Sequence, residues 1–384
     1  MRSIKPKVTT EKNNKNEVII ALHGAIYSVH VYDQLMNALY THMLNEKKEG
    51  EKEAPILSLE DVTWIDSSVP PLLLSCCRIL KDYYGQAIRF IHPKDEYVKA
   101  YLWYSHFNSL GAGIVNDSDK IDESRRVLDF DRLEASSFLL SGDPPNRKNY
   151  MKLFRAKMNY YTSSDSDNYK YQIEDECFLF VKNSIFSRVL SEKLGDTDEL
   201  KESQRIISEL MCNSIIYSLT DLYVNVQMVN KSRFYFTFSD HGIGFYGSLM
   251  KRNENNKSKG ISVIDPLESK KHSKYNIKND YSLIDFYAFF TAIKHPESDL
   301  RLNIRWLIQE ITRANGTLKV HMNHTMLSFY GTDPFYWQNN DVYSWMDHIL
   351  ETTTLDYTRT PLRIFNNGLK GVHIEVLFED RKED

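Results

Sequence analysis

Phe236-Thr237-Phe238-Ser239-Asp240-His241-Gly242-Ile243-Gly244-Phe245 is the most specific pattern in the chain. An alternating strand runs straight into Asp-x-Gly-x-Gly, which sets an acid at a strand end with a turn directly after it. The two glycines permit a tight backbone turn. An ordinary strand-ending turn is the alternative, since Asp-x-Gly is common at turns. The upstream sequence weighs against that alternative. Ser208-Glu209-Leu210-Met211-Cys212-Asn213-Ser214 lies in a strongly periodic helix predicted over residues 200–218. Glu209 and Asn213 are four apart and share one helix face. A polar pair on an otherwise apolar helix is costly to bury without partners or a role, and a solvated face is the other reading. His241 reads as a turn residue, not as a metal ligand or base.

Outward from this core, residues 225–228 and 234–238 read as two strands. Residues 251–280 form a long polar stretch with little periodicity, made basic by Lys251, Arg252, Lys257, Lys259, Lys270 and Lys271. A loop of that length inside a compact domain is often a functional lid, and a solvated loop is the alternative. Residues 281–293 and 304–314 read as helices. Residues 318–322 and 326–330 read as a hairpin, with His321 and His324 as surface histidines near its turn. The aromatic run from Tyr330 to Trp345 reads as a packed subcluster, with a docking face as the alternative. Residues 371–378 alternate cleanly and close the domain as a strand. Helices followed by mostly antiparallel strands argue an α+β sandwich.

The first half has a different rhythm. Strands are predicted at residues 18–22, 56–59 and 87–91. They alternate with helices at 35–43, 70–84 and 94–104, an α/β pattern. Pro70 and Pro71 suit a first helical turn, where the missing N–H has no intrahelical partner anyway. Residues 113–174 are irregular and read as a connector, with a short strand at 160–162. A helix is expected over 175–194. The chain therefore divides into a polar N-terminal segment (1–16), an α/β domain (17–112), the connector (113–174) and an α+β domain (175–384).

The 384 residues suffice for two or three domains, and 42% hydrophobic with 26% charged content is that of a globular protein. Forty-eight Lys+Arg against 52 Asp+Glu give −4, so no global basic excess points to nucleic acid. No apolar run is long enough to span a membrane, and Met1–Lys7 lacks the apolar core of a signal peptide. A cytoplasmic protein is expected. The four cysteines have no zinc-ligand spacing and read as reduced core thiols. No Walker A loop, kinase Gly-rich loop or Gly-x-Ser-x-Gly occurs.

The second half resembles the GHKL ATPase superfamily of gyrase, histidine kinases and MutL, over roughly residues 175–379. The resemblance implies that Asn213 holds Mg²⁺ bridging the phosphates of ATP and that Glu209 acts as a base. It implies that Asp240 accepts a hydrogen bond from the adenine amino group, beside Gly242 and Gly244. The family's glycine-rich lid turn is missing. Its matching stretch is residues 295–306, with Arg301 and Asn303 in the glycine positions, and Arg301, Arg305 or a lysine of the long polar stretch would bind phosphates by charge. The first half resembles a STAS domain, over roughly residues 16–110. There Asp61-Val-Thr-Trp-Ile-Asp66-Ser67-Ser68 matches the family's strand-to-helix junction, although Val69 replaces the usual glycine. This implies a partner-binding surface, with Ser67 or Ser68 as a phosphosite. Helix capping by these serines is the alternative.

The expectation is a cytoplasmic regulator that binds ATP and Mg²⁺ and switches its engagement of a protein partner, a second copy of the chain among the candidates. Hydrolysis or serine phosphotransfer, even to its own Ser68, would use Glu209. The alternative is a pseudo-ATPase scaffold that kept both folds and lost the chemistry. A component of a bacterial stress or antiviral system acting with a separate effector is a further alternative.

Overall fold

The structure, a computed structural model, describes residues 5–49, 53–114, 121–130, 149–154, 156–157, 165–183, 198–230, 233–275, 281–295, 301–313, 315–353 and 361–379. It is a mixed α/β protein with two five-stranded sheets. Among the described residues, no helix is long and apolar enough to cross a membrane.

The first sheet has the order β1-β2-β3-β4-β5. Its strands are β1 (Lys7–Lys12), β2 (Val18–Ile26), β3 (Ile56–Ile65), β4 (Ile88–Ile91) and β5 (Leu128–Phe130). β1 pairs antiparallel to β2, and the remaining pairs are parallel. The crossovers carry α1 (Ser28–His30), a π-helical turn (Val31–Leu35), α2 (Met36–Glu49), α3 (Val69–Tyr84), α4 (Glu96–Tyr104) and α5 (Phe107–Gly111). Pro70 and Pro71 fall in the first turn of α3, and Gly85 closes it. β1 lies in the segment read as merely polar. Its side chains are half-exposed or exposed, so no apolar period marks it, and pairing with buried β2 makes it a strand.

The second sheet has the order β6-β7-β8-β10-β9, antiparallel throughout. Its strands are β6 (Asn149–Phe154), β7 (Leu222–Asn230), β8 (Arg233–Ser239), β9 (Thr317–Tyr330) and β10 (Leu362–Glu379). β5 and β6 both come from the stretch read as a connector, one joining each sheet. The strand expected at 160–162 lies outside the described residues. The helices are α6 (Ser166–Asn183), α7 (Asp198–Ser218), α8 (Gly244–Ser258), α9 (Glu268–His272), α10 (Ile284–Lys294), α11 (Arg301–Arg313), α12 (Phe335–Gln338) and α13 (Val342–Thr352). They pack on one face of the sheet around Phe236, Phe238, Ile374, Val376, Leu318 and Val320. Tyr336 and Trp345 of the aromatic run are buried in this core. All four cysteines are buried free thiols.

Three expectations are corrected, the first two within the second domain. The hairpin at 318–330 is one continuous strand, β9, which pairs along both halves with β10. Asn323 takes φ 51° and bends β9 without reversing it, a conformation asparagine tolerates better than most residues. The polar stretch from residue 251 is largely structured. α8 runs through Ser258, and the chain folds back on it. There the Asn253 carboxamide donates to the Ile264 carbonyl (2.7 Å) and accepts from its N–H (3.1 Å). Lys251 pairs with Glu254 and Lys271 with Asp265.

The other face of the second sheet is covered by the first domain. The π-turn, α2 and α3 lie between the two sheets. Tyr32 in the π-turn stacks on His321 of β9 with centroids 3.8 Å apart. His321 is therefore a buried interdomain residue, which corrects its reading as a surface histidine.

Candidate functional site

The site forms where α7 ends, β8 ends and α8 begins. Side chains alternate along β8, so Phe236 and Phe238 enter the helical core while Thr237 and Ser239 face the first domain. Asp240 follows on the core side, where it is 3% exposed. Its Oδ1 accepts from the N–H of Gly242 (2.9 Å) and from that of Val372 (3.2 Å). Its own N–H donates to the Val372 carbonyl (3.0 Å). The carboxylate thus ties the end of β8 to β10 and to the turn. Both backbone donors use Oδ1, which leaves Oδ2 as the oxygen open to a ligand. Burial pushes the Asp240 carboxyl up to about 7, against the pull of the two N–H groups. Burial also pushes His241 down to about 3, with the Arg78 charge adding to it, so the ring is neutral.

Gly242 is needed for close approach. A Cβ there would overlap the Ser218 backbone at the end of α7. Gly244 opens α8, whose Tyr246 N–H donates to Asp285 Oδ1 (2.9 Å). Asp285, from the first turn of α10, therefore caps a neighbouring helix. The sequence marks it as an acid in a helix's first turn but gives no sign that it serves another helix.

Asn213 and Asp240 line one cavity with Tyr217, Phe245, Ile304 and Gly244 among others. The Asn213 side chain is 2% exposed. Among the described residues, neither its carboxamide oxygen nor its nitrogen has a hydrogen-bond partner. A buried polar group left unpaired costs about 1–3 kcal/mol, so this one calls for a bound water, ion or ligand. The cavity is ≈ 40 Å³, room for a few waters and well below the few hundred Å³ of a ligand site. A base enters only if the Phe245, Tyr217 or Ile304 side chains move aside.

The other predicted residues are placed as follows. Glu209 is half-buried one turn before Asn213, and the cavity wall is made instead by Leu210, Asn213, Ser214 and Tyr217. Arg301 begins α11, and its side chain lies outside the described residues. None of the cations from Lys251 to Lys271 lines the cavity. Ser67 and Ser68 are 4% and 0% exposed. Ser68 Oγ donates to Asp66 Oδ1 (2.6 Å), and its N–H donates to the same oxygen (3.1 Å). The Ser67 carbonyl accepts from Asn225 Nδ2 (2.7 Å). The capping acceptor is thus Asp66, not a serine hydroxyl. In this arrangement neither serine is reachable by a phosphoryl donor. Ser67 lies on the Asn225 and Thr237 face of the second sheet, and the Asp240 cavity lies on the other. Asp66 itself is held above the usual carboxylate range by burial.

Compared with family models, curated proteins and solved structures, the chain matches none.

Proposed function

We propose that this protein is a nucleotide-responsive regulator with a STAS-like first domain and a GHKL-like second domain. In this reading an adenine nucleotide with Mg²⁺ enters between Asn213 and Asp240. The observation that carries it is the unpartnered, buried Asn213 carboxamide on the wall of the cavity that Asp240 closes. The adenine end fits the residues present. Asp240 Oδ2 would accept from the amino group once the Phe245, Tyr217 or Ile304 side chains had moved aside. Asn213 would supply the oxygen ligand to Mg²⁺, which neutralises phosphate charge when bound. No glycine cradle serves the phosphates, so charge from Arg301 and its neighbours would take that part. Occupancy would change how the chain engages a protein partner. Hydrolysis would need Glu209, in the middle of α7, to turn toward the cavity.

A second reading has one observation in its favour. A cavity of ≈ 40 Å³ is what a pseudo-ATPase scaffold with a closed pocket would show.

The two readings separate in a calorimetric titration of ATP with Mg²⁺ into wild type and Asp240→Asn. The nucleotide reading expects saturable binding by wild type. It expects at least about 100-fold weaker binding by the variant, because the amide presents a donor where an acceptor is needed. No heat from wild type at millimolar ATP leaves the scaffold reading standing.

A further inference from the structure

The face that the second sheet turns to the first domain is polar at its centre. Cross-strand register aligns Tyr223, Ser239, His373 and His321 in one row. It aligns Asn225, Thr237, Glu375 and Lys319 in the next. The opposite face of the same strands is wholly apolar at the matching places, with Val224, Phe238, Ile374 and Val320. Against the polar rows lie Ser67, Ser75 and Tyr32. Ser239 Oγ bonds Ser75 Oγ at 2.9 Å, and Thr237 Oγ1 reaches the Ser67 carbonyl at 3.4 Å. Apolar contacts sit to either side, with Met151 and Leu153 at one flank and Met326, Phe365 and Leu369 at the other. Stable interfaces have the reverse anatomy, an apolar centre within a polar rim.

This centre is also poorly satisfied. Among the described residues, Tyr32 Oη, Ser67 Oγ, Asn225 Oδ1, His321 Nε2 and His373 Nδ1 are buried without hydrogen-bond partners. His373 Nε2 lies 3.4 Å from Glu375 Oε1, while Glu375 Oε2 pairs with Lys319 at 2.9 Å. Each orphan regains water if the domains part, whereas the apolar helical core on the other face stays closed. The penalty for leaving those groups unpaired falls on the closed state alone.

We propose that the two domains are joined by a seam that opens as a unit. Closed, it withholds the Asp66–Ser68 start of α3. Open, it exposes that helix start and the polar sheet face together. Opening is a subglobal event that exposes the apolar flanks of the seam and leaves the helical core on the other face of the second sheet closed. It does not depend on nucleotide binding.

The test is thiol alkylation of full-length Ser67→Cys under native conditions, resolved by peptide. Cys177 and Cys212, buried in the second core, serve as internal clocks for global unfolding. The introduced thiol is expected to react at least ~100-fold faster than Cys177. Adding Ser75→Cys and Ser239→Cys and oxidising that pair is expected to bring the rate down to that of Cys177. Equal rates for all thiols before cross-linking would overturn the seam. Small-angle scattering of wild type in rising urea covers the case in which Ser67→Cys fails to fold. An increase in radius of gyration before loss of helical circular dichroism supports the seam, and coincident changes overturn it.

Discussion

Asp240→Asn is expected to stabilise this protein at pH 8, by about 4 kcal/mol, even though it removes a residue central to the site. The carboxyl is held at about 7 against an ordinary value of 3.8, and one pKa unit corresponds to about 1.36 kcal/mol. The sign follows from proton binding. Between about 4 and 7 the folded protein keeps the proton that the unfolded chain has released. The contribution is therefore fully present below the unfolded pKa and is lost as pH rises through 7. Above 7 the folded chain holds a buried carboxylate with only two backbone donors. Asparagine keeps an oxygen for those donors and carries no charge. Its advantage should fall to less than half by pH 5. Urea unfolding of both proteins at pH 5 and pH 8 measures this. An unchanged or lower stability of the variant at pH 8 would show that the charge has a partner in solution.

Gly371→Ala is expected to destabilise by about 3 kcal/mol or more, from strain and overlap together. Gly371 sits in β10 at φ 105°. A Cβ there would press into the backbone of Asp240 and His241. Retreat is opposed next door, where the Ser239–His373 pair and the Asp240–Val372 hydrogen bonds hold the two strands together. Gly85→Ala is the matched control. Gly85 has φ 76° with nothing within 4 Å of its Cβ position, so only the conformational cost of about 1 kcal/mol applies. Thermal unfolding of the two variants side by side checks this. Equal effects would mean that the close approach at Asp240 is not maintained.

What could be read from the sequence follows the physics of each element. Helices α3, α7 and α10 and strands β2, β3 and β8 bury a face or a whole run, and their periodicity gave them away. The Asp240 turn was legible because an acid and two glycines at fixed spacing have few other uses. β1, β5 and β6 were not legible, since they are short or half-exposed and owe their existence to a neighbouring strand. The bend at Asn323 looked like a reversal because one left-handed asparagine serves both. α8 was missed because its outer face is nearly all Asn, Lys and Glu. Least legible was the seam. His321 read as a surface histidine, and nothing marked His373, Thr237 or Asn225 as buried, because alternation reports one apolar face and is silent on what covers the other. Their burial depends on the first domain, some 200 residues away in sequence.

The central claim is that Asp240 reads an adenine. Competition against a fluorescent ATP analogue with Mg²⁺ at pH 8, where Asp240 is ionised, tests it most directly. Guanine carries a carbonyl oxygen where adenine carries the amino group, so two acceptors would face each other. The account predicts displacement by ATP and ADP, with GTP weaker by about 100-fold or more. Equal displacement by ATP and GTP, or no binding of the analogue at all, would contradict it.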